Sequence, residues 1–175
     1  MSTTNSNTTG QFLTPGYEHL KSIYLLKDVQ KKTLLHETSI YILPLMALQS
    51  AYLALIEYID LTGQKIDPLW CETDWHSLPI QERIAHIYRK AEQPTQFNTG
   101  IWKEVLMLLE TGRSIGEDLA ELKLHQKNEI PEKFKSIAVE YPIYRSQATA
   151  EEAIDILLDL SDFCKSDNKK TSIED

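Results

Sequence analysis

The chain has 175 residues, a length that suits one domain with a sizeable core, because a globular chain of this size removes roughly two thirds of its unfolded surface from water. Its 42% apolar and 25% charged residues are ordinary for a soluble protein, and six glycines with few Asn-Gly or Asp-Gly hairpin signals argue against an all-β fold. A formal net charge of -8 counts against a broad basic surface for nucleic acid, and no DNA-binding signature is present.

The opening MSTTNSNTTGQ is polar and lacks the basic and apolar regions of a signal peptide; residues 1–14 are expected to form a disordered tail. The two cysteines, Cys71 and Cys164, lie far apart with no CxxC pairing. Free thiols and a cytoplasmic location are the expectation. Thr14-Pro15 then opens a first amphipathic helix, with Thr14 as its cap and Tyr17, Leu20, Ile23, Tyr24 and Val29 recurring to about Leu35.

A second helix is expected from about Glu37 to Leu61, ending at Gly63 as its C-cap, with Pro44 either kinking it or marking its true start. Its run ILPLMALQSAYLALIEYI approaches membrane-spanning length but contains Gln49, Ser50 and Glu57 and lacks basic flanks. A central buried helix is therefore expected, with no membrane contact. Because it is apolar around most of its circumference, a four-helix monomer would leave part of it uncovered, which favours a homodimer.

Residues 64–77, QKIDPLWCETDWHS, read as a loop whose two tryptophans pack over the end of the bundle. Cys71, Asp74 and His76 stand close together there, but without paired ligand spacing no metal site is expected. Ser77 and Pro79 start a third helix that runs to about Ala91 and is stopped by Pro94; its Arg83, His86 and Arg89 read as a solvated basic edge. His19, His36 and His125 are dispersed and pair with no nucleophile. With no GxGxxG or Walker loop, no cofactor is expected.

The fourth helix begins near Ile101. Val105, Leu108, Leu109, Gly112, Ile115, Gly116 and Leu119 form its inward stripe, and the two glycines, four apart, would admit a neighbouring helix closely. The outward arc of roughly 140° carries Glu110, Arg113, Ser114, Glu117, Asp118 and Glu121. Residues 125–148 read as a connector with one short helix at 131–140. A capping box at Thr149-Ala-Glu-Glu152 leads into the last helix, to Cys164, and 165–175 is expected to be a flexible tail. The whole is an all-α, up-and-down bundle of four to five helices over residues 15–164.

Four segments, SAYLALIEYIDLTG at 50–63, WHSLPIQERIAHI at 75–87, FNTGIWKEVLMLLETGRS at 97–114 and ATAEEAIDILLDL at 148–160, resemble in their order the HEPN superfamily of helical domains. In active members an Arg-Asn dipeptide, then three residues and a histidine, meets its copy across a homodimer and cuts RNA without a metal. The resemblance places Arg113 at the arginine, Ser114 at the asparagine and Asp118 at the histidine, so two of the three positions depart. Metal-independent cleavage needs a base for the 2′-hydroxyl, an acid for the leaving oxygen and positive charge at the phosphorus. Histidine serves both proton roles near neutrality, whereas aspartate, with an ordinary pKa of about 3.9, is a poor donor and repels phosphate.

Three functions follow as expectations. The first is a HEPN-like, non-catalytic homodimeric binding or regulatory module with a protein or RNA partner. A metal-independent endoribonuclease with an altered motif is the second, Arg113 stabilising phosphate and Asp118 or another carboxylate acting as base. The third is an unrelated helical protein-interaction domain, in which Arg113 is a surface charge paired with Glu117 or Glu110.

Overall fold

The computed structural model describes residues 15–32, 38–70, 72, 74, 77–125 and 130–174; the expected tail at 1–14, the Thr14 cap, His36, Cys71, Trp75 and His76 lie outside them. Among the described residues the chain is all-helical, with six α-helices rather than four or five and one π-helical turn. In chain order these are α1 (Pro15–Lys32), the π-turn (Thr38–Ile42), α2 (Leu43–Ile66), α3 (Ile80–Lys90), α4 (Ile101–His125), α5 (Glu132–Glu140) and α6 (Ile143–Glu174).

Of the two readings of Pro44, the helix start holds. The α-helix proper begins at Leu43, so Pro44 falls in its first turn, where a missing N–H leaves no partner unsatisfied. The residues before it are wound as a π-turn. At the other end α2 passes through Gly63 and runs to Ile66, so Gly63 is not the C-cap. The Trp70 ring lies against it, and a Cβ there would meet that ring at 2.3 Å. Glycine is required at this position by close approach rather than by a turn.

α2 is the axis of the molecule. Every other helix and the π-turn pack on it, and its only exposed residues are Glu57, Gln64 and Lys65. The 27-residue stretch Ile40–Ile66 is long and apolar enough to cross a membrane, and in this fold it supplies the central helix. Even so, Met46, Tyr52, Ile56, Leu61 and Ile66 are only partly buried, so the chain does not wholly cover the apolar surface of α2. α5 and the extended α6 add the surface that a four-helix count lacked.

Contacts fix the directions of the helices. Gly16 of α1 lies against Tyr58 of α2, and Gly112 and Gly116 of α4 lie against Tyr52 and Gln49, so α1 and α4 both end near the start of α2. α6 is antiparallel to α1: Tyr24 donates to Glu151, and Lys27 Nζ lies 3.4 Å from Gln147 Oε1. α3 and α4 are joined at Trp102, whose indole N–H donates to the Tyr88 hydroxyl at 2.6 Å with the rings edge to face.

The start of α6 differs from the expected capping box. The helix begins at Ile143, directly after Pro142, whose carbonyl accepts the Arg145 and Ser146 amides. Thr149 therefore sits inside the helix and is buried, where its side chain has no cap to make. Pro142 outranks the capping box because it fixes its own φ while freeing a helix to follow. The backbone also stays helical to Glu174, ten residues past the expected boundary.

Candidate functional site

α4 is unbroken from Ile101 to His125 and carries all three residues of the candidate motif. Its inward stripe is as expected: Val105, Leu108 and Ile115 have no exposed surface and Leu109 has 4%. Gly112 allows the helices to touch, since a Cβ on it would come within 2.6 Å of Tyr52 Cβ. At Gly116 the neighbour is the Gln49 amide, 3.3 Å from such a Cβ.

Lys103, Met107, Glu110, Arg113 and Ser114 form the exposed side of the helix. Between the two faces runs a row at seven-residue spacing, Glu104, Thr111 and Asp118, which an α-helix places along one side at intervals of about 10 Å. This row meets α5 and the beginning of α6. Arg145 Nη2 donates to Glu104 Oε2 at 2.7 Å, while its Nη1 donates to the Glu140 carbonyl and its guanidinium lies over the Tyr141 ring. The Glu104 hydrogen bond raises the Arg145 pKa further above its already high value.

Tyr141 is 2% exposed, and its hydroxyl is directed toward Thr111 without closing a hydrogen bond of good geometry. Burial raises its pKa above the ordinary phenolic value. At the far end of the row Lys133 Nζ donates to Asp118 Oδ2 at 2.9 Å.

The three motif residues consequently have different environments. Arg113 and Ser114 stand exposed, and among the described residues Arg113 makes no ion pair, so the expected pairing with Glu110 is not formed. The Glu117, Leu119 and Glu121 side chains lie outside the described set. Asp118 is drawn to the opposite edge of the outward arc, with its side chain 34% exposed and engaged by Lys133. It is tied to α5 and turned away from Arg113. Sequence spacing gave Asp118 its place on the helix but not this partner, which comes from a residue fifteen positions on.

A second polar cluster lies at the end of α2. Asp67, which follows the helix, is 5% exposed; its Oδ2 is 2.7 Å from His86 Nε2, and its Oδ1 accepts the Leu69 amide. Burial by itself raises the Asp67 pKa, but the His86 hydrogen bond, the Leu69 N–H and the charge of Lys90 outweigh it and leave the carboxyl below its ordinary value. Trp70 packs beside His86 and donates its indole N–H to Asp60 Oδ1 at 2.7 Å.

His86 is therefore not part of a solvated basic edge, although Arg89 on the same helix is exposed. The expected packing of a tryptophan over the bundle end holds for Trp70, which is wholly buried. Sequence reading missed the Asp67–His86 pair because nineteen residues separate its members. The one local signal was an aspartate set directly before a proline at the end of an apolar helix.

The chain matches no protein-family model, no curated protein and no solved structure.

Proposed function

We propose that this protein is a HEPN-like homodimeric binding or regulatory module without ribonuclease chemistry. The reading rests on the resemblance of the four segments at 50–63, 75–87, 97–114 and 148–160. The observation that carries its non-catalytic half is the Lys133–Asp118 ion pair. At the position where the family's reaction needs a group that both takes and gives a proton, this chain has a carboxylate, and that carboxylate is held by a lysine of a neighbouring helix. Arg113 is left exposed with Ser114 beside it and Glu110 one turn back, an arrangement suited to contact with a partner. One guanidinium among carboxylates supplies little of the field a phosphorane requires.

Dimerisation through the exposed side of α4 brings two copies of Arg113 to a shared surface. The partner is a protein or an RNA. The test is incubation of nuclease-free protein with single-stranded and structured RNA from pH 5 to 9 without metal, together with sedimentation of the protein alone. Intact RNA and a species of twice the chain mass are expected. Metal-independent cleavage that disappears in Arg113→Ala overturns the non-catalytic reading in favour of the altered endoribonuclease. A strictly monomeric protein overturns the dimeric one. RNA binding without cleavage registers as a complex that weakens steeply with salt.

A further inference from the structure

We draw no further inference here: the strongest candidate, the Asp67–His86–Trp70 side-chain cluster at the end of α2, carries nothing beyond the clasp already described, because both Asp67 oxygens already accept hydrogen bonds within the fold and nothing in the structure shows a ligand for it.

Discussion

Gly112 and Gly116 lie on the same face of α4 yet answer to different constraints. A methyl at 112 would press on Tyr52 Cβ, an atom tied directly to the α2 backbone, so relief requires the two helices to move apart. Gly112→Ala is expected to destabilise by about 1–3 kcal/mol through overpacking. At 116 the obstacle is the end of the Gln49 side chain, which can rotate. The gain in helix propensity, about 1 kcal/mol, then offsets the contact, and Gly116→Ala should be neutral or slightly stabilising. Urea unfolding of the two variants checks the contrast, and equal losses would show that the glycines share one role.

Asp67 is the other residue whose replacement has a definite sign. Asp67→Ala removes the carboxylate that both His86 and the Leu69 amide bond to, a loss of about 3 kcal/mol at neutral pH. Because the folded state holds the carboxyl below its ordinary pKa, its contribution is complete above the unfolded value and disappears as pH falls through the folded one. Stability measured from pH 7 down to pH 2 should therefore decline less steeply in Asp67→Asn than in the parent. Parallel curves would remove Asp67 from the acid transition.

Among the elements, α5 shows how a short helix is held. Nine residues are too few for a helix to persist in water by its own propensity. Phe134 and Ala138 are buried, and Lys133 reaches across to Asp118 on α4. The ion pair is exposed, with the lysine side chain 62% accessible, so its energetic share is small. A double-mutant cycle on Asp118→Asn and Lys133→Met should give a coupling of about 0.5 kcal/mol that fades with added salt, whereas Phe134→Ala should cost about 3 kcal/mol. A large, salt-independent coupling would mean that Asp118 is desolvated in solution and holds a greater part of the fold.

The start of α6 offers a similar decision between local and tertiary readings. If Thr149 capped the helix, Thr149→Ala would cost about 1 kcal/mol. Since α6 begins six residues earlier, at Ile143, and Thr149 is buried within it, the loss in Thr149→Ala comes from packing. Thr149→Ser, which would keep a cap but deletes the buried methyl, should lose a comparable amount in urea unfolding.

For the whole molecule, the distribution of burial separates what folds the chain from what contacts other molecules. α2 packs on every other helix of its own chain, with several of its apolar side chains only partly buried. The surface left for a partner includes the outer side of α4, where Met107 is 38% exposed among Lys103, Glu110, Arg113 and Ser114. Arg113→Ala should leave unfolding unchanged within about 0.5 kcal/mol, because nothing buried depends on it. If the proposed module is correct, the same variant should weaken self-association or RNA binding, as read by sedimentation and by titration at two salt concentrations. Unaltered association and binding would remove Arg113 from the interface.

Much of this arrangement was legible in the residues themselves. Apolar spacing located α1, the central helix and the inward stripe of α4, and it did so because a helix repeats every 3.6 residues whatever surrounds it. Proline and glycine were harder to read. Pro44 and Pro142 act locally and left a trace in the sequence, but Gly63 looks like a helix terminus until Trp70 is seen lying on it. The sequence by itself determined that Val105, Leu108, Leu109 and Ile115 turn inward and that Arg113, Ser114 and Asp118 share one helix, since those follow from backbone periodicity, whereas Tyr24 and Val29 of the expected apolar face of α1 are exposed. Only the tertiary structure decided that Asp118 bonds to Lys133, that His86 bonds to a buried Asp67 and that every other helix packs on α2. Each of those depends on side chains brought together from separate helices, and short-range spacing carries no record of such meetings.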